Sequence, residues 1–127
     1  MKLQRDIFML CDQIREAAFA LHGYLKHGHM EKVYENGLAH RLRQSGLCVV
    51  QQSTLQVDED GTPLGNYCAD LLVEGKLIEE LKACKTIAAE HIAQLLGYLR
   101  GCRIEHGLLI NFGAPKLEIK KYVLSAS

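Results

Sequence analysis

The run Ala69-Asp70-Leu71-Leu72-Val73-Glu74-Gly75-Lys76-Leu77-Ile78-Glu79-Glu80-Leu81-Lys82-Ala83 reads as two apolar strands joined by a turn at Glu74-Gly75. Strands this apolar are normally buried on both faces, where an unpaired carboxylate costs several kcal/mol, so Asp70, Glu80 and Lys82 require a physical reason to be there. A divalent cation with a phosphate supplies one. Two carboxylates from adjacent strands can hold Mg²⁺ through oxygen ligands, and Lys82, two residues after Glu80, points to the same face. The spacing alone leaves an internal ion pair between Lys82 and either acid equally open.

Register decides which glutamate shares a face with Asp70. A plain two-residue turn would pair Val73 with Lys76 and set Asp70 opposite Glu79, turning Glu80 and Lys82 away. The metal reading therefore predicts one extra residue: a Glu74-Gly75-Lys76 loop, or a bulge beside Asp70, that brings Asp70 opposite Glu80. Glu79 should then face elsewhere, towards its own partner or solvent.

Outward from this hairpin, Ile7, Cys11, Ile14, Ala18 and Leu21 recur at helical steps, predicting a helix over 6–25 that Lys26-His27-Gly28 breaks. A second helix over 30–44 places Tyr34, Leu38 and Leu42 on one face, with Glu31 within that stripe and Glu35 slightly off it. Two such charges about 4 Å apart repel by about 4 kcal/mol at an effective dielectric near 20, so a cluster of acids favours a bound cation. Strands follow over 48–57 and 64–73. A third helix, capped by Thr86, runs to about Arg103, and two short strands close the chain over 107–111 and 116–124. On that third helix Gln94 and Tyr98 project together from one flank of an apolar stripe; taken alone, they read first as a polar border to a core helix. His91 reads as structural.

The chain has 127 residues, 48% of them apolar, which suits one domain over 1–127. Fifteen basic residues balance fifteen acidic ones, so any nucleic-acid binding must rest on local charge or a cation rather than on the global field. The odd, scattered set of five cysteines forms neither a disulfide framework nor a zinc motif, and predicts buried thiols in a reducing compartment. No apolar run approaches a membrane span, so a cytoplasmic protein with no membrane association is expected.

Gly28-His29-Met30-Glu31-Lys32-Val33-Tyr34 resembles the signature of the GxxExxY family, which belongs to the PD-(D/E)XK nuclease superfamily. Tyr67 to Val73, Glu80-Leu81-Lys82-Ala83, Gln94 to Leu99 and Leu109 to Gly113 look like further blocks of that family in the same order. The chain departs from that pattern in two respects: Lys26-His27 stands where Gly-Pro is often found, and Glu79 stands where an apolar residue is expected. The resemblance implies an α/β, restriction-endonuclease-like core with a mixed central sheet of about five strands flanked by three helices. It also implies Asp70 and Glu80 as metal ligands, Lys82 as the catalytic lysine, Glu31 as a first-helix carboxylate, and Gln94 with Tyr98 as the Q-x-x-x-Y pair of RecB-like nucleases.

The reading that results is a Mg²⁺- or Mn²⁺-dependent nuclease with DNA as its expected substrate. Asp70, Glu80 and Lys82 are catalytic; Asp70, Glu80 and Glu31 bind the metal; Gln94 and Tyr98 bind the substrate; and Glu35 is a possible additional acid. Lys26, Lys32, Arg41 and Arg43 would substitute for net positive charge, and a homodimer would add surface to grip a duplex. The alternative is a catalytically silent nuclease-fold module for binding or assembly. A small-molecule enzyme ranks last, because no glycine-rich phosphate loop or nucleophile motif is present.

Overall fold

The computed structural model describes residues 6–124. Helices α1 (Ile7–Leu25) and α2 (Glu31–Gln44) precede strands β1 (Val49–Glu59), β2 (Thr62–Val73) and β3 (Leu77–Lys82), and helix α3 (Ala89–Cys102) leads to β4 (His106–Asn111) and β5 (Glu118–Val123). The five strands form one sheet in chain order. Only β3 and β4 run parallel, with α3 as the crossover between them, so the sheet is mixed as expected.

Each face of the sheet carries its own core. Leu10, Ile14, Ala18 and Leu21 of α1 and Tyr34, Leu38 and Leu42 of α2 pack against Leu71, Val73, Leu77, Leu81, Leu108 and Ile110. On the other face Leu95 and Leu99 of α3 cover Tyr67, Ala69, Ile78 and Leu109.

The strands do not keep their faces along their whole length. Leu71 and Val73 belong to the α1/α2 core, yet Tyr67 and Ala69, at the same parity, belong to the α3 core. In β1, Val49 and Leu55 divide the same way. The switch falls at Gln52 and Asp70. This rung is missing although the register on either side of it is the same, Gln51↔Leu71 and Ser53↔Ala69, and Gln52 sits at φ 48°. A left-handed residue interrupts the two-residue alternation, so the outer half of the hairpin curls over α3.

Several boundaries differ from the sequence reading. Helix α3 starts at Ala89 rather than after a Thr86 cap, because the His91 ring accepts the Ala88 N–H through Nδ1 at 3.1 Å and takes over the capping role. The five cysteines are free, but only Cys11 is buried; Cys48 and Cys68 are exposed, since edge and hairpin positions leave a strand face uncovered. No helix among the described residues is long and apolar enough to cross a membrane.

Candidate active site

The hairpin between β2 and β3 has the three-residue loop that the site requires. Val73 pairs with Leu77 and Leu71 with Glu79, and the same register carried one rung further sets Asp70 opposite Glu80. Glu74 and Gly75 both adopt positive φ, and the Lys76 N–H closes the loop on the Val73 carbonyl at 3.0 Å. The backbone ladder between the two strands ends at Leu71–Glu79. Beyond it the Asp70 carboxylate takes the place of a ladder bond, its Oδ2 accepting from the Leu81 N–H at 2.9 Å.

Glu80 and Lys82 share the parity of Ile78, on the α3 side, whereas Glu79 shares that of Leu77 and Leu81 in the α1/α2 core. Loss of hydration pushes the Glu80 carboxyl up to about 7, against the opposing pull of Lys82 and the Asp70 backbone N–H, while Glu31 and Glu35 push it further up. Its Oε1 is buried without a hydrogen-bond partner. Glu79 differs from the expectation: it is 0% exposed, and among the described residues neither of its carboxylate oxygens has a hydrogen-bond partner.

The two acids of α2 also exchange the places expected of them. Glu31, at the first position of the helix, is exposed, whereas Glu35 is buried. A stripe residue at a helix end overhangs the core instead of entering it. Partial desolvation and then the neighbouring Asp70 raise the pKa of Glu31, which also senses Lys82, Glu35 and His91. The loop before it is anchored through Tyr34, whose ring stacks on Phe112 at 4.7 Å. The Tyr34 hydroxyl donates to the Lys26 carbonyl and accepts from the His29 N–H.

Both Glu35 oxygens are engaged: Oε2 accepts from Lys32 Nζ and Gln51 Nε2, each at 2.8 Å, and Oε1 accepts from Gln52 Nε2 at 2.6 Å. Burial raises its pKa, but these three donors outweigh that effect and leave it lowered. Glu35 is thus already satisfied by protein groups.

Gln94 donates to the Tyr98 hydroxyl at 3.2 Å, and the Tyr98 ring stacks on Tyr67 at a centroid distance of 3.5 Å. Of the four bases, Lys26 and Lys32 flank Glu31. Arg41 and Arg43 lie ten or more residues further along α2, about 15 Å or more from the mouth of the site. Arg43 is committed to Gln51 Oε1 and the Val49 carbonyl.

Sequence reasoning missed Gln51 and Gln52, whose adjacent amides inside a strand were the available signal, and Asn111. The buried Asn111 side chain accepts from the Cys84 and Gly113 N–H groups and donates to the Cys84 carbonyl and Glu118. It fixes the backbone that follows Lys82.

Among the described residues no three His, Cys, Asp or Glu side chains form a ready-made metal centre. The arrangement instead sets two facing strand acids, a helix-end acid and a lysine at one end of the sheet. No curated protein and no solved structure matches the chain. Residues 9–122 match the family described as the PD-(D/E)XK nuclease superfamily, and the mixed five-stranded sheet with its three helices agrees with that core. The chain belongs to the PD-(D/E)XK nuclease superfamily.

Proposed function

We propose that this chain is a divalent-metal-dependent nuclease of the GxxExxY type that hydrolyses phosphodiester bonds, with DNA as substrate and Mg²⁺ or Mn²⁺ as cofactor. The observation that carries the reading is the buried, unpartnered Glu80 Oε1 facing Asp70 in a cluster where Lys82 is the nearby base. A carboxylate pair with a lone pair to spare and a deficit of positive charge is the donor set that suits a hard cation, whose remaining positions water and phosphate oxygens fill. The site thus fits the metal without a preassembled third ligand, and Glu31, whose charge acts on Glu80, is the acid that would supply one.

In this reading Asp70 and Glu80 hold the cation, which supplies charge stabilisation at a phosphoryl oxygen and an acidified water. Lys82, on the same face as Glu80, presents its ammonium to the attacking water or to the charge that develops on the phosphoryl oxygens. Glu35 serves as an anchor for Gln51 and Gln52 rather than as a ligand. Gln94 and Tyr98 contact substrate beyond the metal, and Lys26 provides local positive charge, Lys32 being paired with Glu35. The reading also takes the chain as a single nuclease domain, cytoplasmic, and paired as a homodimer to grip a duplex.

A catalytically silent binding module remains the second reading, favoured by the absence of a three-ligand centre among the described residues. Incubation with labelled single- and double-stranded DNA and RNA, in Mg²⁺, Mn²⁺ or EDTA, separates the two. Cleavage of DNA that EDTA and Lys82→Ala abolish is the expected result. Cleavage indifferent to both would refute the mechanism, and metal-dependent binding without cleavage would support the silent module.

A further inference from the structure

The missing rung of the β1–β2 ladder is occupied by side chains. Gln52 holds φ 48°, a conformation that strains a residue other than glycine and persists only where its surroundings impose it. Its amide hydrogens reach two different acids: Nε2 donates to Glu35 Oε1 at 2.6 Å and to Asp70 Oδ1 at 3.3 Å. On the other side its Oε1 accepts from the Cys68 thiol at 3.3 Å. With carboxylates on one side and a thiol donor on the other, only this orientation of the amide satisfies all three neighbours.

Glu35 is a firm anchor for this bridge, because Lys32 and Gln51 secure its other oxygen. Asp70 is therefore held at both ends, by the Leu81 N–H on Oδ2 and by Gln52 on Oδ1. The longer of these contacts lies on the Gln52 side and leaves lone pairs on Oδ1 available. A neutral amide can steer a carboxylate without cancelling its charge, which a lysine in the same place would do.

We propose that Gln52 is a positioning residue that ties helix α2 to Asp70 through Glu35 and aims the Asp70 carboxylate at a divalent cation. The inference rests on the metal-dependent reading above. Groups that orient a metal ligand typically contribute 10- to 100-fold to metal affinity.

Two variants test it in the full-length, reduced protein. Gln52→Gly removes the amide while relieving the positive φ, so its fold is retained; Gln52→Leu keeps the bulk and removes the hydrogen bonds. Each is followed by calorimetric Mn²⁺ titration and by the amide resonance of Leu81, whose N–H reports the Asp70 carboxylate without metal or substrate. The expected result is a Leu81 resonance that moves in both variants, with Mn²⁺ affinity reduced about tenfold or more. An unmoved Leu81 resonance overturns the positioning role. A moved resonance with Mn²⁺ affinity within about twofold of wild type overturns the claim that this aim serves a cation. Wild-type protein that binds no Mn²⁺ refutes the metal-dependent function itself, and the Leu81 resonance still decides whether Gln52 orients Asp70.

Discussion

Replacing Glu79 with leucine should stabilise the protein, and more so as pH rises. Glu79 is fully buried, neither of its oxygens has a hydrogen-bond partner, and burial pushes its carboxyl from the ordinary 4.5 up to about 8. Between those values the folded chain keeps the proton that the unfolded chain has released. Folding therefore takes up a proton, and stability falls as pH rises from about 4.5 to about 8. At about 1.4 kcal/mol per pH unit this interval corresponds to a ceiling of about 5 kcal/mol, which water entry and local relaxation reduce. Leucine removes that dependence. It also removes a neutral but unpaired buried carboxyl, worth about 1–3 kcal/mol at any pH. Urea unfolding of both proteins at pH 5, 6.5 and 8, in reducing and metal-free buffer, should show Glu79→Leu ahead throughout, with its lead growing by about 3 kcal/mol from pH 5 to pH 8. A lead that does not change with pH, or a less stable variant at pH 8, would refute the assignment of Glu79 as an unpartnered core acid.

Gly113→Ala should be among the most damaging single changes away from the acids. A Cβ there would lie 2.3 Å from the Cys84 nitrogen and 2.4 Å from the Ala83 carbonyl carbon, both of which are backbone atoms that cannot swing aside. A loss of about 3 kcal/mol in chemical denaturation is expected, and a loss below about 1 kcal/mol would contradict this packing. Tyr34→Phe keeps the stack on Phe112 but frees the Lys26 carbonyl and the His29 N–H, so it should cost about 1 kcal/mol in the same assay. Hydrogen exchange of the 26–30 loop should accelerate, and unchanged exchange would show that this hydroxyl does not anchor the loop.

Much of the architecture was legible because periodicity is a local property. The stripes Ile7 to Leu21 and Tyr34 to Leu42 marked α1 and α2, and the demand that Asp70 meet Glu80 anticipated the Glu74-Gly75-Lys76 loop from register alone. What could not be read depended on partners distant in sequence. The switch of faces at Gln52 and Asp70 sets Ala69 and Leu71 in opposite cores despite their shared parity, which no two-residue pattern foretells. The wheel ranked Glu31 as central and Glu35 as peripheral, but burial followed the position of the helix end over the sheet. The start of α3 moved from the Thr86 cap to Ala89 because the His91 ring, three residues into the helix, reached back to the Ala88 N–H. Glu79 has no such account; among the described residues neither of its oxygens finds a donor.

The central claim, that Asp70 and Glu80 together hold a divalent cation, is tested most directly by calorimetric Mn²⁺ titration of the wild type beside Asp70→Ala and Glu80→Ala. The wild type should bind one Mn²⁺ per chain. Because burial, opposed by Lys82, leaves the Glu80 carboxyl at about 7, and a ligand must lose its proton to bind metal, affinity should rise from pH 6 to pH 8. Each alanine variant should lose binding. Without metal, Glu80→Ala should melt at or above the wild-type temperature, since it removes one charge from a mutually repelling set, whereas Asp70→Ala should melt lower because it leaves the Leu81 N–H without its acceptor. Unchanged Mn²⁺ affinity in either variant would contradict the account.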